Sequence, residues 1–417
     1  MRVCGLLGMG EAAAFDHLHR RCLQSSAVGS SSLPVGRAYA GSMDSQSDGG
    51  SSAVTPDAPI DGPAHHLLGL LLPGGWKVMA TREPQPGDTG GYFSVGYFAH
   101  QVDDQDVPTS DTAFVRALDY SRWPELGFSS QVDAIQILAS ALVFEREMVR
   151  ACAGRRMRNV VRGIDSGSVE VDGFAPFSTV DYLVFEVADG DVRKHLPTLD
   201  AFDEAWKLRV VHDVANGLRQ LHQEDFAHQD LKPSNVLCFE PKKASRLFKV
   251  GDLGRAHSPS MSGPHSSLAA PGDQNYAPLE LLYGQIDSDE RRRRRCVDAY
   301  LLGSLVTFMF TGIGTSAGTL SYLASEFHPA CWRESYPQVL PYIREAYNQH
   351  MEDFAAALTT GLRPKVLELV RELTDPDPTV RGNAKAGLGS LRFAMERYVS
   401  VLDFLTRDAE IRLRNAL

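Results

Sequence analysis

The sequence has no CxxC pair and no regular cysteine spacing: its six cysteines stand at 4, 22, 152, 238, 296 and 331. Neither a zinc framework nor a disulfide-stapled small domain is indicated, and a reducing setting, the cytoplasm, is expected. Long apolar runs are missing too. The longest, Leu67 to Leu72, is interrupted by Gly69 and falls far short of the ~20 residues needed to cross a bilayer. Nor does the N-terminus read as a secretory signal, because Glu11 and Asp16 break up a weakly apolar opening. Basic charge is scarce: 42 Lys and Arg face 52 Asp and Glu, a net charge of -10. That balance argues against general nucleic-acid binding, which needs clustered cations. The exception is the run Arg291 to Arg295, which reads as a solvated face leading a helix or, alternatively, as a docking or nuclear-targeting patch.

Large apolar residues are also few between Ser25 and Pro63, where Ser, Gly, Pro and Asp dominate. Such a segment cannot offset its chain entropy by burial, so residues 1–73 are expected to form a mostly disordered tail. Order is expected to begin at Gly74-Gly75-Trp76. Short apolar runs then predict strands over Trp76 to Thr81, Tyr92 to Gln101 and Thr112 to Asp119, the first two joined as a hairpin by a glycine-rich turn. In the next stretch Val132, Ile135, Leu138, Leu142, Met148, Val149 and Cys152 recur at three- and four-residue intervals, which predicts an amphipathic helix. Two more strands are expected at Asn159 to Gly163 and Asp181 to Val187. Beyond them Trp206, Leu208, Val211, Val214, Leu218 and Leu221 form the stripe of a helix over Ala205 to Gln223. Strands with one helix first and helices afterwards predict an α+β fold of two lobes, a small sheet-rich one and a larger helical one.

The string His228-Gln229-Asp230-Leu231-Lys232-Pro233-Ser234-Asn235 follows that helix, and Gly251-Asp252-Leu253-Gly254 comes shortly after. Further on stand Tyr276-Ala277-Pro278-Leu279-Glu280, Asp298 to Gly303, and Asp375 to Arg381. A polar turn explains any one of these alone; their order and spacing do not occur by chance at that rate. Together they resemble the eukaryotic-type protein kinase domain over about residues 74–394, with 74–188 and 189–394 as its lobes and 395–417 as a helical extension.

The resemblance implies a transferase that moves the γ-phosphate of ATP, with Mg²⁺, to Ser or Thr hydroxyls of a protein substrate. Asp230 and Lys232 would be catalytic, and Asn235 and Asp252 would hold the metal. Glu280 and Arg381 would form a buried salt bridge, and Asp298 would brace the catalytic loop. ATP would be met by Gly90, Gly91 and Val95 of the glycine-rich loop, by Arg116 where the family carries lysine, and by Glu145, with Glu147 as its rival. Phe185, Glu186 and Ala188 would form the hinge. Asp88 and Phe93 stand where the family's loop has glycine, and side chains there restrict backbone approach to phosphate. An alternative reading is therefore a pseudokinase, a scaffold or allosteric partner with impaired ATP handling. No membrane partner is implied, and no oligomeric state.

Overall fold

The computed structural model describes residues 61–83, 93–121, 130–175, 178–196, 204–240, 246–387 and 389–416. The upper lobe is a six-stranded antiparallel sheet, in the order β1 (Leu71–Leu72), β2 (Trp76–Thr81), β3 (Ser94–Val102), β4 (Pro108–Leu118), β6 (Thr179–Phe185), β5 (Gly163–Glu170). Period-two alternation turns Val78, Tyr97, Ala99, Val115, Ala117, Tyr182 and Val184 into one buried layer. Order starts before the expected Gly74: Ala64, Leu67 and Leu72 join that layer, and the Tyr97 hydroxyl donates to the Ala64 carbonyl at 2.7 Å. Three scattered apolar residues in a polar stretch suffice because the sheet supplies the surface that they bury.

The helix α1 (Gln131–Gly154) is capped by the Ser130 hydroxyl, which accepts from the Asp133 amide. Its inner face carries Phe144, Met148, Val149 and Cys152 into the core of the lower lobe. The strand expected at Asn159 to Gly163 is corrected. Val160 and Val161 instead run beside Val250 as an isolated parallel bridge, and the true edge strand starts at Gly163. That edge strand, GIDSGSVE, contains few large apolar residues because its burial is slight, so period and hydrophobicity gave no signal for it.

The lower lobe is mostly helical. A small sheet of β7 (Gly190–Asp191), β8 (Val236–Phe239) and β9 (Leu247–Val250) flanks the cleft. The short α2 (Val192–His195) follows β7, and α3 (Glu204–Gln223) buries Leu208, Val211, Val214, Leu218 and Leu221, the expected stripe. Then come α4 (Leu279–Leu282), α5 (Glu290–Thr311), α6 (Thr315–Ser321), α7 (Tyr336–Ala356), α8 (Arg363–Thr374) and α9 (Met395–Ala416). Asp289 caps α5 through the Arg292 amide, and Gly312, at φ 79°, ends it in the left-handed region. The helix α9 is part of the lobe's core: Tyr398, Leu402, Leu405 and Ala409 are buried in one cluster with α3. Among the described residues no single helix is long and apolar enough to cross a membrane.

Candidate functional site

The cleft between the sheet and the helical lobe holds the residues singled out above. Its floor is the turn between α3 and β8. Asp298, fully buried on α5, accepts from the His228 amide at 2.9 Å, the Gln229 amide at 2.8 Å and the His222 ring at 2.8 Å. Burial opposes its charge, but these donors outweigh burial and hold its carboxyl below the usual range. The His228 ring donates to the Gly251 carbonyl at 2.9 Å, and the Gly251 amide donates to the Asn235 carbonyl at 2.8 Å. These bonds tie Asp230, Lys232 and Asn235 to Asp252. Gln229 and Asp252 sit at φ 65° and 58°, conformations unusual for non-glycine residues; the bonds above over-determine them.

Asn235 Nδ2 donates to the Asp230 carbonyl at 2.8 Å and reaches Asp230 Oδ2 at 3.3 Å. Lys232 Nζ lies 3.4 Å from Asp230 Oδ2 and 3.3 Å from Asp273 Oδ2. The Asp273 amide donates to Asp230 Oδ1 at 2.7 Å. Burial, then the Asp252 charge, raise the Asp230 pKa above the carboxylate norm, although Lys232 opposes them. Burial depresses Lys232, yet Asp230 and Asp273 prevail and raise it. Asp273 was not singled out in the sequence: in Gly272-Asp273-Gln274-Asn275 it reads as loop polarity. Gly272 is the one local clue, because a Cβ there would run into the Gln229 carbonyl and Asp230.

Behind the floor, Arg116 of β4 pairs with Glu145 of α1, and its other nitrogen lies 3.8 Å from Asp252 Oδ1. Glu147, the rival, is exposed. Burial opposes the Arg116 charge, but Glu145 and Asp252 raise its pKa; burial and Asp252 raise that of Glu145 against the pull of Arg116. Leu253 is buried in the lower core, keeping an apolar packing role.

A cavity of about 230 Å³ extends from Asp252 and Asn235 to the hinge at Phe185, Glu186 and Ala188. Its roof corrects one expectation. Ser94, Gly96 and Phe98 face the cavity, so by strand alternation Val95 turns the other way and packs on the upper core. On β4 the cleft-facing residues are Arg116 and Phe114. Phe114 is bulky: a Cβ added to Gly96 would lie 2.9 Å from its ring. The same alternation, counted back from Arg116, could have found it. The cavity is also lined by Asp191 and Arg193, which were likewise missed; Arg193 Nε and Nη2 clamp Asp191 at 2.9 and 2.8 Å. Gly90, Gly91 and Asp88 lie outside the described residues, and Phe93 is placed at the entry to β3, its carbonyl accepting from the Asp119 amide at 2.8 Å.

At the hinge, Glu186 accepts from Lys249 Nζ at 2.6 Å and from the Arg162 amide at 2.7 Å. Its side chain thus braces the lobes, and its own amide donates to the Arg162 carbonyl at 3.1 Å. Outside the cleft, Arg381 donates to both oxygens of Glu280 at 2.6 and 2.8 Å, fully buried, and stacks on Tyr300. The arginine run is not a solvated face: Arg294 is 2% exposed, and Arg292 and Arg295 are committed to Asp287 and Asp225.

Residues 135–390 match the family model of the protein kinase domain. Strands β1 to β4 precede that span. The chain is 29% identical over 286 residues to MAP kinase-interacting serine/threonine-protein kinase 2 of Xenopus laevis, covering 64% of this chain and 58% of that protein. It is 29% identical to human serine/threonine-protein kinase H2 over 40% of this chain and 42% of that one. To Aurora/IPL1-related protein kinase 2 of Caenorhabditis briggsae it is 31% identical, over 30% and 37%. In each case the match spans less than two thirds of the relative. The family model covers well over half of the 417 residues, in the part that builds the cleft floor, and the chain belongs to the protein kinase domain family.

Proposed function

We propose that this chain is a Mg²⁺- and ATP-dependent kinase that phosphorylates Ser or Thr hydroxyls of a protein substrate. The observation that carries the reading is that Asn235 and Asp252 line one cavity, with Asp230 reached by Asn235 Nδ2 at 3.3 Å, Lys232 beside Asp230 at 3.4 Å, and the Arg116–Glu145 pair behind. Asp230 takes the hydroxyl proton as the new O–P bond forms and the bond to ADP breaks, and its raised pKa suits that role. Lys232, held cationic by two carboxylates, faces the charge developing on the transferring group. The amide oxygen of Asn235 and the carboxylate of Asp252 are hard donors of the kind that magnesium takes; a bound ion would neutralise phosphate charge. With a net charge of -10, the proposed partner is a protein rather than nucleic acid; the scattered cysteines are the ground for proposing a reducing, cytoplasmic setting.

A pseudokinase is the second reading, favoured by one observation: Phe114 occupies the roof over Gly96, where a planar base would have to enter. Mg-ATP binding and phosphate transfer to a generic protein substrate, compared among wild type, Arg116→Lys and Asp252→Asn, separate the two. Transfer by wild type that disappears in Asp252→Asn supports the enzyme. A wild type that binds no nucleotide, with both functions gained in Arg116→Lys, establishes the scaffold.

A further inference from the structure

Five consecutive arginines open α5, and one of them is turned inward. Arg294 is 2% exposed. Its Nη1 donates to the Leu268 carbonyl at 2.9 Å and its Nη2 to the Ser266 carbonyl at 2.7 Å, both on the segment between Asp252 and Tyr276. Nη1 also reaches Gln229 Oε1 at 3.4 Å, and Nη2 reaches Glu290 at 3.4 Å. Gln229 answers by donating Nε2 to the Arg294 carbonyl at 2.8 Å and to Asp298 Oδ1 at 2.9 Å. One guanidinium thus joins the catalytic loop, the α5 helix and the serine-rich segment.

We propose that Arg294 is a positioning residue: it holds the segment from His257 to Gly272, and through Gln229 the catalytic loop, without any phosphoryl group on that segment. The reason is chemical. A charged donor fork reaching two main-chain carbonyls makes charge-assisted bonds that exist whatever the serine hydroxyls carry. Gln229 is neutral, and its side-chain amide is taken up by the Arg294 carbonyl and Asp298 of α5. The far end of the held segment is Gly272, packed against Gln229 and Asp230, followed by Asp273 beside Lys232. Loosening Ser266 and Leu268 therefore frees the chain that carries Asp273.

The test follows amide hydrogen exchange over residues 256–272 in the full chain for wild type, phosphatase-treated wild type, Arg294→Met and Arg294→Lys. Methionine keeps the stem's packing and removes the donors. Exchange in that segment should rise at least about tenfold in Arg294→Met, less in Arg294→Lys, with α3 and α8 unchanged. Phosphatase treatment should leave the wild type as it was. Unchanged protection in a folded Arg294→Met or Arg294→Lys protein overturns the proposal, as does loosening of the wild type by phosphatase. Should Arg294→Met unfold throughout, the lysine variant and the phosphatase comparison still decide. The kinetic arm rests on the kinase reading: KM for a peptide substrate should rise about tenfold in Arg294→Lys, with KM for ATP unchanged. A wild type without transfer activity defeats that reading alone, because the exchange measurement needs no turnover.

Discussion

Asp252 carries more of the proposed chemistry than any other side chain in the cleft, and little of the fold. It is about a third exposed, it lines the cavity, and its nearest cation is 3.8 Å away. Asp252→Asn is therefore expected to lower kcat by at least about a hundredfold while leaving the melting temperature within a degree or two of wild type; steady-state kinetics and a thermal melt check both. Phe114 predicts the opposite kind of result. Removing its ring opens the roof beside Gly96, so Phe114→Ala should tighten binding of ATP or ADP about tenfold, since each 1.4 kcal/mol is a factor of ten. Titration calorimetry measures it, and unchanged or weaker binding would show that the ring is no obstacle. Arg116 uses the breadth of its guanidinium: one nitrogen pairs with Glu145 while the other lies 3.8 Å from Asp252, a reach spread over two atoms where an ammonium has one.

Between elements, the contact of α6 with α7 gives a pH dependence. His350 of α7 is 4% exposed, a Cβ on Gly318 of α6 would collide with its ring, and its Nε2 is buried with no hydrogen-bond partner. Burial pulls its pKa from 6.5 down to about 4, Asp353 opposing. The native state therefore stays neutral where the unfolded chain takes up a proton. The contribution of His350 to stability falls as pH drops from about 6.5 to 4, by up to about 3 kcal/mol, and this contribution is flat below. Urea melts across that range should show the loss, and His350→Gln should make the fall shallower than in wild type. Gly318→Ala forces the ring to move and is expected to cost about 1–3 kcal/mol at neutral pH. Helix α9 makes a second case, since its buried Tyr398, Leu402 and Leu405 cover α3; ending the chain before Met395 should leave an aggregating product, seen by size-exclusion chromatography.

Across the molecule, Glu280 and Arg381 tie α4 to the loop after α8. Both are buried, so Glu280→Gln leaves a buried cation half-satisfied and should cost about 3–5 kcal/mol, read as a large fall in the denaturation midpoint with little change in the chemistry of the cleft. Much of this architecture was legible beforehand. The α3 stripe, the α1 face with Glu145 and the strand Trp76 to Thr81 follow from local periodicity, because each buries one face against a large partner. The edge strand at Gly163 to Glu170 was not legible: it buries almost nothing, and its polar residues carry no period.

Spacing along the chain determined that Asp230, Lys232 and Asn235 lie close together, since neighbours in sequence have few ways to be far apart in space; the pairing of β8 with β9, which ends just before Asp252, brings that residue beside them. It could not say which face of β3 looks into the cleft, so Val95 and Gly96 exchanged places and Phe114 was overlooked. Nor could it separate Arg294 from the four arginines around it. Those outcomes depend on what a distant segment places opposite each side chain: the Ser266 and Leu268 carbonyls for Arg294, the upper core for Val95. Burial is a property of the assembled surface, and only the folded chain has one.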